Sequence, residues 1–140
     1  VSVPRRAWTR SLTAAAAVAL LASCQAGPKS SGPAGGGKSA ALRSMEQVAI
    51  AAHKCWFASK DAAFRDYSFA NELNNFSGTP RFLLVPKRNF GGKPLLVVQA
   101  EGPGGKVSAF GPLMDGPHAG RIGADLGRWS AGDGSCGSAA

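Results

Sequence analysis

The sequence predicts an α+β domain: an N-terminal helix packed on a three- or four-stranded antiparallel sheet, ending in a short C-terminal helix or turn. Two observations predict it. Apolar residues recur at three- and four-residue spacings over 42–56. Beyond them, short β-type runs follow one another with only turns between.

The helix comes first. Leu42, Met45, Ala49, Ala52 and Trp56 form one stripe with Val48 and Cys55 alongside, and Arg43, Glu46, Gln47 and Lys54 take the other side. Ser44 with Gln47 fits a capping box, and Ser39 is a competing start. Period two follows, with Tyr67, Phe69, Asn71 and Leu73 alternating with Ser68, Ala70 and Glu72. This reads as a strand, although FANELNNF also fits a short helix. RFLLVPK is a clear strand stopped by Pro86. KPLLVVQAEG is another, apolar on both faces over 95–98, which puts it in the middle of the sheet. GPGG over 102–105 is a tight turn, and KVSAFG is the strand after it. Such short connections make antiparallel neighbours. In the tail, Ile122, Leu126 and Trp129 suit a helix face, while Gly120, Gly123 and Gly127 weaken it.

Most of the aromatics, Trp56, Phe57, Phe64, Tyr67, Phe69, Phe76, Phe82, Phe110 and Trp129, are expected in the core. Phe90 is the exception. It sits in the loop KRNFGGK between two strands, with Lys87, Arg88 and Lys93 around it. Either it folds back onto the sheet, or it stands out as an aromatic anchor ringed by cations. The second arrangement suits an acidic protein or an anionic polymer.

No set of residues points to catalysis. His53, Cys55, His118 and Cys136 have the number of ligands for zinc but not the short paired spacings of a structural site. A Cys55–His118 nucleophilic pair needs a free thiolate. Gly105-Lys106 mimics the end of a phosphate loop, but Ala100 stands where its first glycine belongs and Val107 where its Ser/Thr belongs. Asp61, Asp66, Asp115, Asp125 and Asp133 fall on expected loops and helix ends, in solvent. The expectation is a protein without enzymatic activity, metal or cofactor.

The formal charge is +8, which at first points to nucleic acid. Its distribution argues otherwise. Arg5, Arg6 and Arg10 precede an apolar run, and Lys29 and Lys38 lie in a Gly/Pro/Ser-rich tract. Residues 42–136 hold eleven basic and eight acidic side chains, a net of +3, with no basic cluster interleaved with aromatics. No nucleic-acid partner is expected.

The first 24 residues carry the most specific signal. Three arginines without an acid precede an apolar segment over 12–21, which leads to Leu21-Ala22-Ser23-Cys24. About ten apolar residues are too few for a span, which takes roughly 20; they fit a secretory signal. LASC resembles the lipobox of bacterial lipoproteins. The resemblance implies diacylglyceryl transfer to the Cys24 thiol, cleavage before Cys24 and further acylation of the new terminus, which anchors the chain in a lipid bilayer. Gln25, in place of the aspartate that retains enteric lipoproteins in the inner membrane, implies the outer membrane, facing the periplasm.

The organisation expected is a signal over 1–23, lipidated Cys24 and a flexible tether over 24–41, and one small domain over 42–140. The tract QAGPKSSGPAGGGKSA has no large apolar residue, and a chain of that length spans about 20–25 Å. With Cys24 acylated, Cys55 and Cys136 are the remaining pair in an oxidising compartment, and one disulfide between them is expected. The functional expectation is a membrane-anchored envelope lipoprotein acting as a structural or binding module. The alternatives are a periplasmic inhibitor of lysozyme or protease and a small envelope hydrolase.

Overall fold

The computed structural model describes residues 37–137, so Cys24 and the tract before residue 37 lie outside the described residues. It has the α+β architecture expected. Helix α1 (Ala40–Ala52) continues into a π-helical turn (His53–Ala58). After a 3₁₀ turn come strands β1 (Tyr67–Glu72), β2 (Arg81–Pro86), β3 (Leu96–Glu101) and β4 (Lys106–Phe110). A second 3₁₀ turn (Pro112–Asp115) leads to helix α2 (Ala119–Ser130). The strands form one antiparallel meander in the order β1-β2-β3-β4.

The first helix starts two residues earlier than the periodicity predicts. Ser39 is its cap: its backbone is extended and its hydroxyl accepts the Leu42 N–H at 3.0 Å. Ser44 lies inside the helix instead, facing the β3–β4 hairpin. The other end also departs from the expected run to residue 56. From His53 the ladder widens, with Ser59 N–H donating to the Lys54 carbonyl at 3.1 Å. The adjacent Cys55 and Trp56 are both buried there.

Alternation fixes which side chains meet the helices. Phe82 and Leu84 of β2 and Leu96, Val98 and Ala100 of β3 are buried under α1 and α2, which contribute Met45, Val48, Ala52, Ile122, Leu126 and Trp129. At their centre Trp56 stacks on Phe64 at 4.4 Å between ring centroids and meets Trp129 at 5.0 Å. The tail is helical despite its three glycines, because tertiary burial of Ile122, Leu126 and Trp129 outweighs a penalty of roughly 1 kcal/mol per glycine. Not every other aromatic is inside. Phe76 is fully exposed in the β1–β2 loop and Phe110 is half exposed at the end of β4.

The meander gives the domain two ends. The β1–β2 and β3–β4 connections lie at one of them, and the β2–β3 connection, 87–95, lies at the other. The start of α1 belongs to the first end, since Gly105 of the β3–β4 turn packs against the Ala40 carbonyl. The chain therefore enters the domain at the end opposite residues 87–95.

Candidate functional site

The loop over 87–93 is held at its base and open at its tip. Pro86 ends β2, and the next residue donates its N–H to the Asp66 carbonyl at 2.9 Å, fastening the loop to the start of β1. Two tight turns follow, Asn89 N–H to Pro86 carbonyl at 3.0 Å and Gly92 N–H to Asn89 carbonyl at 2.9 Å. Leu95 N–H closes the loop on the Leu84 carbonyl at 2.8 Å. Between these ties Lys87, Arg88, Phe90 and Lys93 are all exposed, and Phe90 keeps 62% of its surface in water. It does not fold back onto the sheet. Among the described residues, the five ion pairs leave out Lys87, Arg88 and Lys93. Arg65, Asp66, Pro86, Lys87 and Arg88 surround a shallow hollow at the loop's base, where three cations face one carboxylate.

Cys55 and Cys136 are joined, with an S–S distance of 2.03 Å and Cα atoms 5.3 Å apart. Their sulfurs are therefore neither thiolate ligands nor nucleophiles in this structure. The two histidines sit against aromatics: His53 lies 5.7 Å from Phe69 and His118 lies 6.5 Å from Phe64, centroid to centroid. Among the described residues no three His, Cys, Asp or Glu side chains gather as a metal site.

Two aspartates depart from the solvent exposure expected of them. Asp125 is 3% exposed on the inner face of α2. It accepts from Trp56 Nε1 at 2.8 Å and from Arg128 Nη2 at 2.5 Å, and Arg121 Nε lies 3.7 Å away. Asp61 caps the first 3₁₀ turn through the Ala63 N–H and pairs with Arg121 Nη2. The Arg121 guanidinium, through that hydrogen bond, holds the Asp61 carboxyl below its ordinary value and is itself raised. Arg121 also lies over the Phe64 ring at 5.5 Å. The signal was in the spacing: Asp125 has Arg121 four residues before it and Arg128 three after, and shares the stripe of Ile122 and Trp129. This network joins α2 to the first half of the chain; within it Arg121 Nε is buried and makes no hydrogen bond among the described residues, lying 3.7 Å from Asp125.

Asn75, within a potential glycosylation triplet, organises the β1–β2 loop. Its amide donates to the Glu72 and Thr79 carbonyls at 2.7 and 2.6 Å and accepts the Ser77 N–H at 2.9 Å. Comparison with family models, with curated proteins and with solved structures finds no match to this chain.

Proposed function

We infer that the protein is a lipid-anchored envelope lipoprotein whose folded domain is a non-enzymatic binding module. The observation that carries the binding reading is Phe90, 62% exposed among Lys87, Arg88 and Lys93 on a loop tied at both ends. Leaving an aromatic in water forgoes about 1.5–3 kcal/mol of burial, and a partner surface recovers it. The surrounding cations select an acidic protein or an anionic wall polymer and speed its encounter. The loop lies at the end opposite the start of α1. On a chain acylated at Cys24, it would be free to point away from the bilayer. That favours an envelope partner over the headgroups of the anchoring membrane.

The test uses the full-length chain in its own envelope. Fatty-acid labelling is expected to be lost in Cys24→Ser; label retained there removes the anchor from the reading. Tagged protein is then recovered after cross-linking. Phe90→Ala combined with Lys87→Glu and Arg88→Glu is expected to abolish the cross-linked product while the thermal transition stays in place. Undiminished cross-linking by the folded triple variant removes the loop. Inhibition of lysozyme or a protease by the purified chain would replace the wall-or-protein reading with the inhibitor one.

A further inference from the structure

Beside β1 the helix layer leaves a gap. The helix-facing side of β1, with Phe69 and Asn71, the following Leu73, the flank of α1, with Ala49 and Ile50, and His53 of the π-helical turn enclose an open groove of about 740 Å³. Its surface is mostly apolar. Ile50, on a helix whose other face is the core, is 71% exposed on the groove wall.

The floor of this groove is a sheet edge, β1, that pairs on its outer side with no strand among the described residues. Lys87 N–H donates to the Asp66 carbonyl, and the register runs on from there, Tyr67 opposite Pro86 through Glu72 opposite Arg81. In an antiparallel ladder hydrogen-bonded pairs alternate. Ser68, Ala70 and Glu72 therefore turn their main-chain groups to β2, and Tyr67, Phe69 and Asn71 turn theirs outward. Edge strands are normally blunted by lysine, proline, a bulge or a covering element. β1, YSFANE, has neither lysine nor proline, and its register is unbroken. The other edge is guarded: β4 opens on Lys106, and Gly111-Pro112 turn into the 3₁₀ segment beside it.

We propose that this groove binds an extended segment of a partner polypeptide, which adds to β1 as a fifth strand. The chemistry selects that occupant. A row of outward N–H and C=O groups at strand spacing is matched by another extended backbone, and the apolar wall takes the side chains that alternate onto its face. At the rim, Lys38 is paired with Glu46 at 2.7 Å and Lys54 donates to the Gly134 carbonyl at 2.8 Å, so the rim keeps one positive charge in excess and the segment carries apolar residues at alternate positions with polar residues between them. The chain's own tract over 25–36, QAGPKSSGPAGG, does not qualify: it has no large apolar side chain, two prolines and one lysine. The proposal rests on the reading of the domain as a binding module but uses a surface separate from the basic loop.

The full-length protein, in detergent, is panned against a displayed library of short random peptides, and the selected sequences are synthesised. They are expected to alternate apolar and polar residues, and to slow hydrogen exchange at the Phe69 and Asn71 amides. Ile50→Glu places a charge on an exposed wall position, so the fold is kept, and is expected to weaken binding at least about tenfold. N-methylation of alternate peptide residues is expected to abolish it. The triple loop variant is expected to bind these peptides as the parent does, which separates this surface from the loop. The proposal is overturned if no peptide is selected, if the Phe69 and Asn71 amides stay unprotected, or if Ile50→Glu binds unchanged. It is overturned equally if those amides are protected without peptide in a dimer seen by sedimentation, because a second copy would then occupy the edge.

Discussion

The Trp56 indole N–H donates to Asp125 Oδ2 at 2.8 Å inside the core, across 69 residues of sequence. Trp56 belongs to the π-helical turn and Asp125 to α2, so this bond ties the two helical segments together over the sheet. Asp125 is 3% exposed, and the cations beside it compensate its charge. Asp125→Ala leaves the indole N–H without an acceptor and two arginines without their shared carboxylate. Removing one partner of a buried ionic network costs about 3–5 kcal/mol. Urea denaturation is expected to show a loss of that order, and Asp125→Asn, which keeps an acceptor for Trp56, a smaller one. Equal losses in the two variants would mean that the indole bond contributes nothing.

Asp61 makes stability depend on acid pH. Its folded-state value is depressed, first by the hydrogen bond from Arg121, against an ordinary value of 3.8. A depressed acid contributes stability that is present above the unfolded value and is lost as pH falls through the lower, folded value. The parent is therefore expected to lose stability below about pH 4 more steeply than Asp61→Asn. Parallel stability–pH curves for the two proteins below that point would rule out the Arg121 pairing as the cause.

Periodicity alone identified the elements that bury one clean face. Phe82 and Leu84 alternate, Met45, Ala49 and Ala52 repeat at helical spacing, and both patterns became core. Its errors came where a side chain's role depends on distant partners. Asp125 looked like a solvated acid because its acceptor geometry is completed by Trp56, 69 residues away. The helix starts at Ser39, whose hydroxyl accepts the Leu42 N–H, while Ser44 lies against the β3–β4 hairpin. The basic loop was legible because its charges and its flanking strands are local in sequence. The groove was not, because it depends on the path of α1 across the sheet.

The Cys55–Cys136 bond closes nearly the whole domain, with a sequence separation of 81. In the chain-entropy model a loop of this size is worth about 4–5 kcal/mol. Cys55→Ala with Cys136→Ala is expected to lower the urea midpoint and to steepen the slope, because the unbridged unfolded chain is less compact, and dithiothreitol to destabilise the parent but not the double variant. Equal stability of the reduced and oxidised parent would contradict this. An unchanged slope would instead locate the effect in the folded state rather than in the unfolded chain.

Gly105 and Gly102 belong to the same hairpin and both adopt positive φ, +63° and +74°. Alanine at either position bears the left-handed backbone cost, about 1 kcal/mol. Their surroundings differ. A Cβ on Gly102 would meet nothing within 4 Å, whereas one on Gly105 would lie 2.6 Å from both the Ala40 carbonyl oxygen and Ser44 Oγ. The carbonyl belongs to the first turn of α1, so relief would require the helix to move off β4. Gly102→Ala is therefore expected to cost about 1 kcal/mol, and Gly105→Ala at least about 1 kcal/mol more, the lower range for overpacking a tight contact. Chemical denaturation of both variants measures the difference directly. Hydrogen exchange at the Leu42 and Arg43 amides, which Ser39 caps, is expected to quicken in Gly105→Ala alone. Equal losses in the two variants would show that backbone strain accounts for both and that the hairpin does not position the helix.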